Sequence, residues 1–363
     1  MARNSQSSGN DRGLVSVLVV RFSAMGDVAM TVPVLYSACR CYPDVNFVMV
    51  TRPAMTGFFV NAPANLTVVG ADVKNDYKGP SGLRRLTSEL IGQYKPDCML
   101  DLHNVLRTKI MSLFCRLRGV RVVTINKGRA NKRALTRQRN KIMLPLDSSR
   151  ARYRAVFHKA GLPVSERFNG LYDGPAKADT TLFDSISAPK HPGVKWVGIA
   201  PFAAHRGKIY PPGKMEVVVA SLSEKNPDTE IFLFGGGGDE KKILDAWESK
   251  YPRVRNLAGK KYGFKAELAL INHLDVMVSM DSANMHLASI TATPTISIWG
   301  ATHSYCGFRG WRQSDSDMIQ LPMTCRPCSV FGDKPCQRGD YLCMTAIKPE
   351  VIYKKILDKI DIR

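Results

Sequence analysis

An acidic residue near the start of the chain lies just beyond a predicted strand end. Val15–Phe22 is apolar and β-branched, which predicts a buried strand, and Arg21-Phe-Ser-Ala-Met-Gly-Asp27 completes it and opens a helix. The small residues of this turn would let another molecule approach the backbone, and Asp27 would face that molecule from the helix start. The simpler alternative is that Asp27 only caps the helix, which the helix dipole favours.

Two cations follow a second predicted strand, Lys195–Ala200. Arg206 and Lys208 lie in the loop Pro201-Phe-Ala-Ala-His-Arg-Gly-Lys208 directly after it. Cations in a loop at a strand end suit a phosphate group. A solvated basic loop without a ligand is the alternative.

Two further turns join predicted strands to helices. Gly235–Gly238 precedes Asp239 and Glu240, but it matches neither a P-loop nor a dinucleotide-binding fingerprint. In Asp281-Ser-Ala-Asn-Met-His286 an acid ends a strand and small residues begin a helix. The helix N–H groups there could hold a diphosphate, with His286 as a further donor. A plain glycine turn and a capped helix with a partly buried histidine are the alternatives.

Four of the nine cysteines form the pattern Cys325-x2-Cys328-x7-Cys336-x6-Cys343. Four thiols can ligate zinc, but this spacing is not that of a paired CxxC ribbon, so reduced structural cysteines remain an equal alternative. Asp315 and Asp317 form a D-x-D in a polar loop with no predicted strand before it. We therefore expect neither a metal in the functional site nor a cofactor.

These motifs lie in an alternation of strands and helices that predicts doubly wound parallel sheets. The pattern stops in a stretch rich in Pro, Ala, Asp and Lys and then restarts. The predicted organisation is a disordered tail over 1–13, a Rossmann-like domain over 14–175, a linker over 176–193, a second Rossmann-like domain over 194–346 and a final helix over 347–363.

The net charge of +21 is distributed unevenly along the chain. Residues 1–190 carry 29 basic and 13 acidic side chains, and residues 102–159 carry 16 basic side chains against the single acid Asp147. Such a charge attracts nucleic acid, an anionic membrane surface or a phosphorylated substrate. No nucleic-acid-binding motif is present, no apolar run is long enough to span a membrane, and the polar start does not resemble a signal peptide. We therefore expect a cytoplasmic protein without a nucleic-acid partner.

Taken together, these motifs resemble glycosyltransferase family 9, the ADP-heptose:lipopolysaccharide heptosyltransferases. The resemblance comprises strand–S-x-x-G-D–helix near the start, the loop with Lys208, D-S-A-x-x-H before a late apolar strand, and the cysteine stretch to Met344. It covers about Val15–Lys359 and implies a GT-B fold, in which two Rossmann-like domains face each other across a cleft. It also implies inverting transfer without metal, with the acceptor on the first domain and a nucleotide-sugar on the second.

The resemblance assigns Asp27 as the general base on the acceptor hydroxyl. It assigns donor binding to residues of the second half: Lys208, Glu240, Tyr262, Asp281, Ser282, Ala283 and His286. Two departures concern the donor site, since Ala203 and Ala204 replace hydroxyl residues of the family, and Ala283 replaces the commoner glycine.

The predicted function is transfer of heptose from ADP-heptose to the lipopolysaccharide core or a related phosphorylated glycolipid. Arg52, Arg107 and Lys109, near strand ends of the first domain, are candidate acceptor contacts. The basic region fits an anionic inner-membrane surface on which the protein would be peripheral. Other hypotheses are a nucleotide-sugar epimerase on the same fold, a basic nucleic-acid- or anion-binding protein, and an inactive scaffold with the same cleft.

Overall fold

The computed structural model of the protein describes residues 14–360. The predicted tail over 1–13 and the last three residues of the predicted C-terminal helix lie outside the described residues. Within them, two parallel sheets carry helices on both faces, which confirms the predicted α/β class.

The first sheet has five parallel strands in the order β3-β2-β1-β4-β5. Its strands are Ser16–Val20 (β1), Asn46–Thr51 (β2), Leu66–Gly70 (β3), Cys98–Asp101 (β4) and Arg121–Thr124 (β5). Its helices are Met25–Ala29 (α1), Thr31–Cys41 (α2), Gly79–Tyr94 (α3), Leu106–Leu117 (α4), Arg129–Thr136 (α5) and Ser149–Lys159 (α6). All five residues of β1 are buried, as expected for a central strand covered on both faces.

The second sheet has six parallel strands in the order β11-β10-β9-β6-β7-β8. Its strands are Lys195–Ala200 (β6), Thr229–Leu233 (β7), Val254–Asn256 (β8), Val276–Met280 (β9), Thr295–Trp299 (β10) and Met318–Gln320 (β11). The remaining helices are Pro212–Lys225 (α7), Asp239–Lys250 (α8), Phe264–His273 (α9), Ala283–Ile290 (α10), Leu342–Thr345 (α11) and Pro349–Ile360 (α12). In register, Val197 of β6 faces Ile231 on one side and Val276 on the other.

The apolar spacing over Val28–Cys41 predicts one helix, but the structure divides it. Helix α1 ends at Ala29 and α2 begins at Thr31. Pro33 has no backbone N–H to donate to Ala29 four residues earlier, and its ring crowds that carbonyl group. The break makes α1 a short separate helix that holds Asp27 at the carboxyl end of β1.

One hydrophobic core cluster spans the two sheets. The cluster that includes Val17 and Phe47 of the first sheet continues into Leu268 and Leu287 of the second half. The segment 176–193 is part of this packing, since Phe183 is fully buried with its ring 6.0 Å from that of Trp196. The carboxyl ends of the central strands of both sheets are thereby held against each other.

The C-terminal helix belongs to the second sheet's packing. Ile352, Ile356 and Ile360 of α12 recur every four residues and are buried in the second core cluster. Among residues 14–360, no helix combines the length and the apolar character needed to cross a bilayer.

Candidate functional site

Asp27 lies in α1, immediately beyond the carboxyl end of β1. Its side chain is 24% exposed, and Oδ2 lies 2.5 Å from the guanidinium of Arg21. The backbone N–H of Ala24 donates to the same oxygen over 3.4 Å, which is a weak cap. The ion pair with Arg21 is therefore the main contact of the carboxylate, and part of the carboxylate stays accessible.

Arg21 is fixed by buried neighbours. Its side chain donates from Nη1 to the carbonyl of Leu102 over 2.5 Å, and the guanidinium lies 5.9 Å from the ring centre of Tyr153. The Tyr153 hydroxyl donates to the backbone carbonyl of Asp27. Burial lowers the pKa of Arg21, but Tyr153 and Asp27 raise it more, so the net pKa is above the ordinary value. A permanent cation therefore positions Asp27.

A buried histidine lies on the other side of the same turn. His103 follows β4, and its Nε2 is 3.4 Å from the hydroxyl of Ser23. Burial, with help from the Arg21 charge, lowers the pKa of His103 to about 3, so the ring is neutral at pH 7. Its Nδ1 is buried without a hydrogen-bond partner.

The predicted acceptor residues separate into two places. Arg52 is half-buried beside the Asp27 turn, and its Nε donates to the carbonyl of Phe22 over 2.9 Å. Arg107 and Lys109 are exposed on α4. Only Arg52 is thereby shown to contact the turn. Lys127 is a further cation near Asp27, and burial together with the charge of Arg21 lowers its pKa.

Lys208 and Asp281 form the corresponding ion pair of the second half. Lys208 Nζ lies 2.9 Å from Asp281 Oδ2, which also accepts a hydrogen bond from the Thr302 hydroxyl. The side chain of Asp281 is 3% exposed. These two predicted residues come from the ends of β6 and β9, which are neighbouring strands, and the sheet order brings them together.

The cysteine segment supports the Lys208 loop from behind. The Ala301 N–H donates to the carbonyl of Gly207, and the Ala301 carbonyl accepts from the N–H of Cys328. A Cβ at Gly332 would meet Lys208 Cγ at 2.7 Å. Gly332 therefore lies directly against the lysine side chain and sets the space available to it.

His286 connects the two halves of the site. This buried residue of α10 lies against α1, and a Cβ at Gly26 would meet its ring at 2.5 Å. Burial lowers the pKa of His286 to about 4, although the charges of Asp281 and Asp27 act in the opposite direction. A neutral imidazole thus lies within electrostatic reach of both carboxylates, with Nδ1 lacking a hydrogen-bond partner.

The other predicted donor residues lie around this centre. Ser282 and Ala283 are half-buried at the start of α10, where the Ser282 hydroxyl is 3.1 Å from that of Ser279. Glu240 of α8 accepts a hydrogen bond from the N–H of Gly236, so its carboxylate is engaged by its own glycine turn. The remaining two predicted donor residues, Arg206 and Tyr262, make their contacts with other parts of the protein. The guanidinium of Arg206 lies over the ring of Tyr341, and Tyr262 packs against the shared core.

The four C-terminal cysteines line one small cavity, and all nine cysteines are free thiols. Burial raises the pKa of Cys328 to about 11, so its thiol is protonated at pH 7. Across residues 14–360, no set of three or more His, Cys, Asp or Glu side chains is arranged to hold a metal ion. The D-x-D acids are engaged in ion pairs, Asp315 with Arg309 and Asp317 with Lys359.

Three residues of the site were not among the predicted contacts: Arg21, His103 and Tyr153. Arg21 opens the quoted Asp27 motif and His103 follows a predicted strand, so both occupied positions where ligands bind in such sheets. Tyr153 lies in α6 with no sequence signal near it. It reaches the site only because α6 packs back on the first sheet.

Two doubly wound parallel sheets whose carboxyl ends meet at one junction form the GT-B arrangement of glycosyltransferases. A model of glycosyltransferase family 9 (heptosyltransferase) matches residues 84–335. The chain belongs to this family, and it is a glycosyltransferase.

The alignments with relatives and solved structures extend over nearly the whole chain. Lipooligosaccharide heptosyltransferase 2 of Campylobacter jejuni is 21% identical over 337 residues, which cover 92% of this chain and 95% of that protein. A glycosyltransferase family 9 structure from Veillonella parvula superposes with a TM-score of 0.71 at 14% identity, covering 96% of this chain and 98% of that one. The E. coli heptosyltransferase WaaC with ADP gives 0.63 at 15% identity, covering 95% and 99%. At these identities, the two structures establish the fold alone.

Proposed function

We propose that this enzyme transfers heptose from ADP-heptose to a hydroxyl group of a lipopolysaccharide-core acceptor, with inversion at the anomeric carbon. The family and the C. jejuni relative are named for heptosyl transfer, and WaaC was solved with ADP. The observation that carries the proposal is His286. Its ring lies against Gly26, next to Asp27 in the first half. In the second half, His286 belongs to the same segment as Asp281, the acid paired with Lys208, whose charge acts on the His286 ring.

Asp27 acts as the general base. The partly exposed carboxylate accepts the proton of the acceptor hydroxyl while that oxygen forms its bond to the anomeric carbon. The buried Arg21 holds the carboxylate in one orientation through their ion pair. Positioning of this kind lowers the entropic part of the barrier.

The second half stabilises the leaving group. As the bond between the anomeric carbon and the β-phosphate oxygen breaks, its electron pair passes to ADP. Lys208 and the N–H groups at the start of α10 would face that charge, and His286 would donate a hydrogen bond from a neutral ring. Ala203 and Ala204 supply no hydroxyl, so the diphosphate depends on these groups. The proposal uses no metal in this step.

The domain assignment follows from these roles. Residues 14–175 would hold the acceptor and residues 194–346 the donor, with 176–193 as the linker and 347–363 as the final helix. Arg52, Arg107 and Lys109, together with Lys127, give the acceptor side a positive field suited to phosphorylated sugars. Glu240 and Tyr262 remain proposed contacts for the nucleoside. We also propose that the enzyme works at the cytoplasmic face of an anionic membrane that carries the acceptor.

A matched set of reactions tests the function. The protein is incubated with ADP-heptose and a lipid A-core acceptor, and the acceptor mass is followed by mass spectrometry. A gain of one heptose residue, together with release of ADP, is expected. Replacing ADP-heptose by other nucleotide-sugars identifies the donor. Conversion of the donor when no acceptor is present would instead support an epimerase, and binding of ADP without either reaction would support an inactive scaffold.

A further inference from the structure

Helix α4 exposes an apolar stripe that no other part of residues 14–360 covers. Leu106, Leu113 and Leu117 are 74%, 53% and 71% exposed. The half-buried Ile110 lies between them in the sequence and on the same helical face. The opposite face carries the buried Thr108, Met111, Ser112 and Cys115 and packs on the first sheet. The helix therefore has two apolar sides, of which only one is explained by the fold.

Cations flank the stripe on both sides. On a helical projection Arg107 lies on one flank, and Lys109 and Arg116 lie on the other; all three are exposed. Helix α4 contains no acidic residue. An apolar strip with basic margins is typical of a helix that lies in a membrane interface.

A groove beside α4 extends the same character. It has a volume of about 500 Å³ and is lined by Arg84 and Arg85 of α3 and by Phe114 of α4. Arg84 is exposed, whereas Arg85 forms an ion pair with Glu89. The combined surface offers cations for headgroup phosphates next to side chains that can enter the acyl boundary.

The stripe begins at the proposed acceptor site. Leu106 follows His103 by three residues, and His103 contacts the Ser23 hydroxyl in the Asp27 turn. From there the stripe extends along α4 for about 16 Å, since a helix rises about 1.5 Å per residue. A layer lying on α4 would therefore present a lipid-anchored acceptor beside Asp27.

The charges on α4 favour an anionic lipid surface over a second copy of the chain as the partner of its exposed face. Self-association through α4 would bring Arg107, Lys109 and Arg116 against their own copies, and like charges oppose such contact. An anionic lipid surface has the complementary sign. The basic helix α5 is less suited to an anionic lipid surface, because one of its cations, Lys132, lies 5.0 Å from the ring centre of Phe308 in the second half.

We propose that the exposed face of α4 is the membrane-docking surface of this enzyme, with its leucines in the interface of an anionic phospholipid bilayer and its cations on the headgroup phosphates. This inference rests on the proposed function for its direction, since it places the lipid-linked acceptor next to the catalytic base. It adds the residues that make the contact.

The test uses the full chain and vesicles of mixed phosphatidylglycerol and phosphatidylcholine, with phosphatidylcholine vesicles as the neutral comparison. Wild-type protein should float with the anionic vesicles, and raised salt should weaken this binding. The double variant Leu113→Gln/Leu117→Gln should bind at least about tenfold more weakly, because it removes two apolar side chains from the interface. Arg116→Gln should weaken binding to anionic vesicles only.

A control replaces two exposed apolar residues of helices in the second half, Val217 and Val351, by glutamine; they are 47% and 49% exposed. This control should bind vesicles like the wild type. Equal binding by the leucine variant, or an equal loss in the valine control, would overturn the proposal. A wild-type dimer in ultracentrifugation that the leucine variant dissociates would also overturn it, in favour of a second copy.

Activity on two forms of the acceptor separates this inference from the proposed function. The leucine variant should transfer normally to a deacylated, soluble acceptor and more slowly to the same acceptor embedded in vesicles. If the wild type fails on both forms of the acceptor, the proposed function is wrong. If the leucine variant matches the wild type on both forms, the docking surface alone is wrong.

Discussion

The two halves of the site contain the same chemical pair in different surroundings. In the first half, Arg21 and Asp27 are 2.5 Å apart, and in the second, Lys208 and Asp281 are 2.9 Å apart. The cation in each pair follows the central strand of its sheet. The difference is in the acid, since the Asp27 side chain is 24% exposed and that of Asp281 is 3% exposed.

Exposure determines what each pair can do. In the first half the cation is buried and the acid is accessible, so the acid is available to a substrate proton. In the second half the acid is buried under Thr302 and the more accessible partner is the lysine, with 14% of its side chain exposed. The same salt bridge thus presents a base on one side of the junction and a cation on the other.

The largest expected effect is that of Asp27→Asn. The amide keeps the shape of the side chain but cannot accept a proton, and a general base contributes about 10²–10⁴-fold to the rate. We expect heptosyl transfer to fall by about 10³-fold while ADP binding remains unchanged. The melting temperature should fall as well, because the buried Arg21 loses its charged partner. Steady-state kinetics and calorimetry measure these quantities.

Asp281→Asn is the matched substitution on the other side. It removes a buried carboxylate, so it should reduce stability and ADP affinity together. If Asp27→Asn instead weakened ADP binding while turnover stayed near normal, the contrast between the two acids would be wrong.

The second prediction concerns the accessible cation, Lys208. Lys208→Ala removes the proposed diphosphate ligand and leaves Asp281 buried without its charged partner, which costs about 3–5 kcal/mol in such pairs. ADP affinity should fall by about 100-fold, measured by calorimetry with a chelator present throughout. The double variant Lys208→Ala/Asp281→Asn should recover stability but not affinity. Wild-type binding that disappears with chelator and returns with Mg²⁺ would contradict the metal-free proposal.

Histidines on both sides of the junction predict acid sensitivity. Burial lowers the pKa of His103 to about 3 and those of His286 and His303 to about 4. Their unfolded pKa is about 6.5, so between these values the unfolded chain binds protons that the folded protein does not. The stabilisation is fully present above about pH 6.5 and is lost as the pH falls toward 4.

Each histidine contributes about 1.4 kcal/mol per pH unit within that window. Urea unfolding at a series of pH values measures the slope of the unfolding free energy. His286→Gln removes one titrating group, so its slope should be smaller by that amount. An unchanged slope would mean that His286 is protonated in the folded protein, contrary to its buried contact with Gly26.

Sequence patterns predicted most of this fold because long apolar strands and periodic helices carry strong signals. The sequence predicts strands over Val15–Phe22, Lys195–Ala200 and Val276–Met280 and helices over Lys214–Lys225 and Lys265–His273. In the structure, β1, β6, β9, α7 and α9 lie close to these ranges. The short strands β8 and β11 were missed, since three residues carry too little pattern to separate from a loop. The basic, weakly periodic stretch Asn126–Asp147 predicts a loop or an exposed helix, and in the structure it contains α5, whose Leu135 is fully buried.

The site was predictable where a residue follows a strand. Asp27, Lys208 and Asp281 do so, and the sheets bring them to one junction. The contact of His286 with Gly26 depends on how α10 of one half packs on α1 of the other, which no local pattern encodes. Likewise, the position of Gly332 against Lys208 arises from a loop more than 120 residues further along the chain.

The substitution with the smallest expected effect tests whether the loop that contains Gly332 restricts the movement of Lys208. Gly332→Ala adds a Cβ that would lie 2.7 Å from Lys208 Cγ, at a backbone φ of +75°. Gly339→Ala is the matched control, since its φ is +78° but nothing lies within 4 Å of the added atom.

Both variants should lose about 1 kcal/mol of stability from the left-handed backbone. Only Gly332→Ala must displace the lysine stem and hence its ammonium group from Asp281, so ADP affinity should fall by about fivefold, corresponding to about 1 kcal/mol, in that variant alone. Calorimetric titration of both proteins with ADP measures the difference. Equal affinities would show that Lys208 adjusts freely, and the cysteine segment would then have no part in presenting the cation.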